Sequence, residues 1–309
     1  MSTARAAQPS YLVLPQSQSH DMTVLSYLCE RFPHIAPETW RDRMQQGLVS
    51  WQDGSLIDSD SRYRSCARVY YYREVVAETK IPFEVDILYQ DPHIVIAHKP
   101  HFLPVTPSGN YVNECLVHRL RLATGIDTLV PAHRLDRETA GIVLLSVNPD
   151  TRHLYHALFS AKTINKQYHG IARLTPELLA LHQSQQLRLP CHWRIENRIK
   201  PANPSFLMQI VPGDANSHSE ISLVAVAGDL GLFELSPITG KTHQLRVHML
   251  SLGMPLLNDR FYPQLQAKGP DNFNQPLQLL ARRLSFVDPV TAKSHDWQVP
   301  GLSLQRRID

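Results

Sequence analysis

The sequence is short of cysteine. Cys29, Cys66, Cys115 and Cys191 are the only four in 309 residues, and no two form a CxxC pair. That scatter offers neither a disulfide framework nor a zinc knuckle, so free thiols in a reducing cytoplasm are expected. No apolar run approaches the ~20 residues that a membrane-spanning helix needs. The opening MSTARAAQPSYLVLPQSQSH lacks the apolar stretch of a signal peptide. A glycine-rich dinucleotide loop after a strand, a P-loop and a metal-ligand cluster are missing too. No repeat or low-complexity block is present. The expectation is therefore chemistry without redox cofactor, nucleotide triphosphate or metal.

What is there is ordinary in bulk. Hydrophobic residues make up 43% and charged residues 19%, enough for a substantial core. Net charge is +3 with sixteen histidines, and the pI is about 8.6. Mild basicity suits a polyanionic partner without requiring one. The length fits one large domain with a small one. Residues 1–20, rich in Ser, Gln, Ala and Pro, are expected to be flexible. Residues 21–77 read as a small unit. A helix over 22–32 is capped by Asp21 and carries Val24, Leu25, Leu28 and Phe32. A second helix over 37–46 starts at Pro37 and stops at Gly47. A hairpin turns at Gln52-Asp53-Gly54, and a β-prone stretch over 62–76 follows. Residues 77–82 mark a boundary.

Beyond it, short strands are expected at Ile87–Tyr89 and Ile94–Ala97, and helices at 113–124 and 150–162. His153 and His156 on the second of these helices read as surface histidines, since no further ligands accompany them. Strands are expected at 164–172, 221–226, 231–235 and 278–289. Residues 175–212 read as a helical stretch followed by a basic loop with Arg194, Arg198 and Lys200.

The chain is organised around Pro131–Gly141, PAHRLDRETAG, ahead of the apolar run IVLLSV. His133, Arg134, Asp136, Arg137, Glu138 and Thr139 form a polar knot between two core-forming segments. Such a knot is costly unless its charges pair or face a cleft. It resembles the HRLDxxTSG signature of the RluA-type RNA pseudouridine synthases, departing at Ala140, where Ser is usual. Residues 237–259, PITGKTHQLRVHM followed by GMPLLND, resemble the family pattern TGRTHQLRxHMxxxGxPIxGD, with Lys241 for the usual Arg and Asn258 for the usual Gly. Lys166-Gln167-Tyr168 with Gly170, and Lys99-Pro100 before a proline-bearing loop, resemble two further family motifs. The likeness covers roughly residues 80–290.

The resemblance implies an α+β chain. A catalytic domain over 81–309 would hold a central mixed or antiparallel sheet flanked by helices. The small module over 21–77 would be S4-like, with Arg41 and Arg43 on its second helix contacting RNA. The resemblance also implies roles. Asp136 is the nucleophile, Arg246 pairs with it, and Tyr168 stacks on the target uracil. Arg134, His133, Lys99 and Leu245 contact substrate or RNA. The reaction moves a uracil from N1 to C5 attachment without oxidation, so no redox cofactor is demanded. A buried carboxylate tends to neutralise, and a bidentate arginine opposes that; Asp136 is expected to stay ionised through Arg246. A helix over 243–252 would be capped by Thr239 or Thr242, with His243 and His248 as structural residues.

The partner is expected to be RNA, ribosomal first and transfer RNA second, acted on by a cytoplasmic monomer without membrane or metal. Two other readings stay open: a non-catalytic RNA-binding protein, and a hydrolase using Asp136 with Glu138.

Overall fold

The computed structural model describes residues 4–16, 22–75, 78–267 and 269–304. The chain divides into two units, Met1–Lys80 with Pro107–Glu114, and Ile81–Thr106 with Cys115–Asp309.

In the first unit, β1 (Ala4–Arg5), β2 (Ser10–Val13), α1 (Val24–Arg31), α2 (Pro37–Gln45), β3 (Val49–Trp51), β4 (Arg68–Tyr71) and β5 (Glu74–Val75) follow in order. The expected cap Asp21 lies outside the described residues. Thr23 caps α1 instead, its Oγ1 accepting the Ser26 N–H at 3.1 Å. Val24 and Leu28, four apart on one helix face, are fully buried with Trp40, Val49 and Ile57. Gly47 ends α2 with a left-handed φ of +70°, as its place after the helix predicts. The expected flexibility of residues 1–20 does not hold for the strands among them. Ser10–Val13 pairs with Arg68–Tyr71, and Ala4–Arg5 pairs with Glu74–Val75. The edges of β4 and β5 need partners, and this segment supplies them. Residues 107–114 belong to this unit because one Glu78 carboxylate oxygen accepts the N–H groups of Val112, Asn113 and Glu114.

The second unit runs β6 (Asp86–Gln90), β7 (Ile94–Lys99), α3 (Leu116–Thr124), β8 (Val130–Pro131), β9 (Ala140–Ser146), α4 (Arg152–Ser160), β10 (Asn165–Arg173) and α5 (Pro176–Gln183). Then come β11 (Cys191–Pro201), β12 (Met208–Val211), β13 (Ser217–Ala227), β14 (Leu230–Pro237), α6 (Gln244–Ser251), β15 (Leu279–Val287) and β16 (Ser294–Gln298). One large sheet has the order β12-β11-β13-β14-β10-β15-β9-β7-β6, with β16 on β15 and β8 on β9. The β9–β15 pairing is parallel and the others are antiparallel, so the unit is α+β with a mixed sheet. No helix among the described residues is long and apolar enough to cross a membrane.

Every residue of β9 is buried, which explains its unbroken apolar run. Gly141, where β9 meets β15, has φ +127°. A Cβ there would collide with the backbone oxygen and nitrogen of Ala281. Gly141→Ala is therefore expected to destabilise the protein by more than ~3 kcal/mol or to prevent soluble folding. Urea denaturation checks this; a loss under ~1 kcal/mol would mean the strands separate freely.

Residues 191–201 correct the expected basic loop. They form an eleven-residue strand, with Trp193, Ile195 and Ile199 on the covered side and His192, Arg194 and Glu196 outward. This two-residue period is a strand signal, obscured in the sequence by the flanking prolines. The helix expected over 243–252 is α6, but neither threonine caps it. His243 occupies the N-cap at φ +52°, while Thr239 Oγ1 binds the His218 N–H and donates to Gln244 Oε1.

Candidate active site

The HRLD segment leaves β8 and turns back into β9. The Thr139 N–H bonds the Asp136 carbonyl at 3.1 Å, closing the turn, and buried Leu135 anchors it. The Asp136 carboxylate is left about 30% exposed, facing a cavity of about 110 Å³ lined also by Arg134, Lys166, Tyr168, His243 and Leu245. Arg246 reaches the same carboxylate from α6, Nη1 lying 3.4 Å from Asp136 Oδ2. Six of the eight residues of α6, Gln244–Met249, are buried. Arg246 thus arrives from inside the unit, its side chain 2% exposed.

The expected bidentate fork is present, but on another carboxylate. Arg246 Nε and Nη2 donate to the two oxygens of Asp259 at 2.8 and 2.6 Å. Asp259 Oδ1 also accepts the N–H groups of Phe261 and Tyr262. The guanidinium lies over the rings of those two residues, 4.7 and 5.4 Å from their centroids. A guanidinium this buried is offset best by an equally buried carboxylate matched to its fork; Asp259 provides that and Asp136 does not. Burial works against the charge of Arg246, yet the hydrogen bonds and charge of Asp259, with Asp136 and Glu138 beyond, hold its pKa above the ordinary value. The third donor nitrogen is what points at Asp136.

Asp259 and His243 were not anticipated as site residues. Asp259 closes the second motif, and the buried arginine's need for a counter-charge was the signal available. Asn258 beside it takes φ +60°, the left-handed backbone expected where glycine is usual. His243 Nε2 lies 3.8 Å from Asp136 Oδ2, and its Nδ1 lies 3.0 Å from the Tyr262 hydroxyl. Burial lowers its pKa, with Asp136 opposing.

Tyr168 stands on β10, where the register with β15 shifts between Gln167 and Tyr168. Such a bulge re-aims a side chain. Burial, then the charge of Asp136, push the Tyr168 hydroxyl well above the usual phenol range, so it is a neutral phenol at physiological pH. Leu245 is buried in the cavity wall, and Arg134 is an exposed part of that wall.

The other anticipated contacts are placed elsewhere. Lys99 is fully buried and donates to the carbonyls of Pro100, Leu103 and Arg137 at 2.9, 2.7 and 3.1 Å, tying its own loop to the Asp136 turn. Burial pulls its ammonium down to about 7. Arg43, expected on the surface, is buried over the Trp40 ring, 3.6 Å from Glu74. Arg41 is exposed and pairs with Glu38 at 3.2 Å. Glu138 does not line the cavity: it is buried, bonded to Arg137 and 3.9 Å from Arg246, which removes support from an Asp136–Glu138 acid/base pair.

His133 packs behind the turn. Its Nε2 accepts the Leu144 N–H at 3.1 Å, and its ring stacks on Phe159. Burial pushes it down to about 3, and pushes His101 and His248 down to about 4. All three are neutral when folded, while an unfolded histidine titrates near 6.5. Below pH 6.5 the unfolded chain takes up protons that the fold refuses, so their stability contribution is lost as pH falls towards 4. The thermal midpoint is expected to fall across that window, with a smaller slope in His248→Asn. A profile that is flat from pH 6.5 to 4 would contradict the burial of these rings.

Residues 93–251 match the family model described as RNA pseudouridylate synthase. The dual-specificity RNA pseudouridine synthase RluA of Salmonella typhimurium is 32% identical, covering 69% of this chain and 92% of its own. An uncharacterized RNA pseudouridine synthase of Synechocystis is 31% identical, covering 86% and 82%. Among solved structures, human RNA pseudouridylate synthase domain containing 1 superposes with a TM-score of 0.56 at 20% identity, over 72% of this chain and 86% of that one. That last likeness establishes a shared fold.

Proposed function

This chain belongs to the RluA-type RNA pseudouridine synthase family, and from that premise we propose that it isomerises uridine in structured RNA with Asp136 as nucleophile. The carrying observation is the Asp136 carboxylate at a cavity beside Tyr168, with the buried Arg246 guanidinium 3.4 Å away. The target nucleotide leaves its stack at a cost of a few kcal/mol. Arg134, exposed beside the cavity, helps fill the space it vacates. A carboxylate oxygen attacks C1′ as the bond to N1 breaks. The freed uracil, held against the Tyr168 ring, turns to present C5. The C1′–C5 bond forms as the carboxylate departs; C5 loses its hydrogen and N1 gains one. Nothing is oxidised or reduced.

Leu245 shapes the cavity wall. In the first unit, the helix–helix–hairpin order supports an S4-like RNA contact, for which Arg41 is the exposed one of the two arginines on α2. Arg43 belongs to the core there. Ribosomal RNA is the first target to test and transfer RNA the second, for a protein acting as a cytoplasmic monomer.

Loss of hydrogen from C5 supplies the assay. The purified protein is expected to release tritium from [5-³H]uridine-labelled ribosomal or transfer RNA drawn from cells lacking the gene. No release from either would sink the reading. Base stacking on an aromatic ring is worth about 1–3 kcal/mol, so Tyr168→Ala should lower kcat/KM by about tenfold or more, and Tyr168→Phe should recover most of it. Equal losses in the two variants would assign the contribution to the hydroxyl.

A further inference from the structure

A second cavity, of about 330 Å³, adjoins the first and shares Lys166 and Pro237 with it. Its wall includes Lys162, Asn165, Ser236 and Ile238. The cavity is the size of a small-ligand site, mixed in character, and basic where it meets the catalytic cavity. Arg283 also lines it but is neutralised by Asp296, bonded through Nε at 2.7 Å. The two lysines are different. Neither has a carboxylate partner among the described residues.

Lys166 is half-buried at the divide. Among the described residues its ammonium makes one long hydrogen bond, 3.4 Å to the Thr239 carbonyl, although it carries three donors. A cation withdrawn from water with donors to spare is suited to an anion arriving with the substrate. Burial also lowers its pKa, the cost that such an anion would relieve. Lys162 follows the end of α4 with φ +58°, a left-handed position that helices usually give to glycine. Here that position carries a long cationic side chain at the edge of the second cavity.

We propose that the second cavity is the subsite for the nucleotide adjoining the target uridine, and that Lys166 holds the phosphate linking the two. This rests on the synthase reading and extends it to substrate selection. Successive nucleotides are joined by one phosphodiester, so adjacent cavities divided by one under-bonded cation match two nucleotides and their linkage. Lys162 screens the next phosphate along the strand, while exposed Ile238 offers apolar surface to the base.

The probe is a synthetic RNA stem-loop spanning a uridine mapped as the enzyme's target. It is made with all phosphates intact, or with one neutral methylphosphonate on the 5′ or the 3′ side of that uridine. Wild-type turnover of the intact probe upholds the synthase reading by itself. The subsite predicts that one of the two methylphosphonates raises the wild-type KM by about tenfold, the size of one lost charge-assisted hydrogen bond. The same change should have less than about twofold effect in Lys166→Met, because the interaction is already gone. Lys162→Ala, at an exposed position that tolerates truncation, should raise KM and flatten the salt dependence of RNA binding by about 0.7 in log–log slope. The proposal is overturned if neither methylphosphonate changes the wild-type KM, or if Lys166→Met responds to both as fully as wild type. It is also overturned if Lys162→Ala keeps the wild-type salt slope.

Discussion

Asp136→Asn is expected to lower the rate of tritium release by about four orders of magnitude, roughly 5.4 kcal/mol of barrier, while RNA affinity stays within about threefold of wild type. Asparagine matches aspartate in shape but is neither an anion nor a competent nucleophile toward C1′. The fold should tolerate it. Asp136 is about 30% exposed, and its loss leaves Arg246 with both hydrogen bonds to Asp259. Affinity should persist because phosphate contacts supply much of RNA binding. Filter binding beside the tritium assay separates the two effects. Turnover within tenfold of wild type would remove Asp136 from the chemistry.

The second large effect falls on stability. Arg246→Ala should destabilise the protein by about 3–5 kcal/mol, because it strands the buried carboxylate of Asp259 without its counter-charge. In a chain of this size that is a drop in thermal midpoint of roughly 10 °C. Activity should be lost as well, since Asp136 loses its guanidinium neighbour. One variant alone cannot tell the two causes apart. Replacing the pair together, as Arg246→Met with Asp259→Leu, removes both buried charges and should restore most of the stability. It should restore none of the activity. Recovery of turnover in the double variant would show that Arg246 serves only to neutralise Asp259. Failure to regain stability would show that the Phe261 and Tyr262 N–H groups depend on the Asp259 carboxylate as an acceptor as much as the arginine does.

The central strand and the Asp136 turn were legible because both are local. The run IVLLSV has nowhere to go but a buried strand, and the packed charges before it require a cleft or partners. Tyr168 and Arg246 were legible by motif, and the structure brings both to the Asp136 cavity. The distribution of Arg246's donors was not. Choosing between Asp136 and Asp259 depends on which carboxylate the fold buries, and spacing carries no such information. The same reason accounts for Arg43 and Lys99, whose charges look like surface groups in sequence but lie inside, met by Glu74 and by three backbone carbonyls. His133 sits within the motif, yet a backbone N–H and a phenyl ring claim its side chain. Residues 191–201 show a further limit. Their alternation is regular, but the basic side chains on its outer side and the prolines around it suggested a loop.

The reading of Asp136 as the group that isomerises uridine at this cavity can be tested in cells. RNA is taken for nucleoside analysis from a strain lacking the gene, supplied in trans with the wild-type protein or with Asp136→Asn at equal abundance. Pseudouridine is expected at the mapped position with the wild-type protein, unchanged uridine with the variant, and no free uracil from either. Pseudouridine restored by Asp136→Asn, or free uracil released by the wild-type protein, would contradict it.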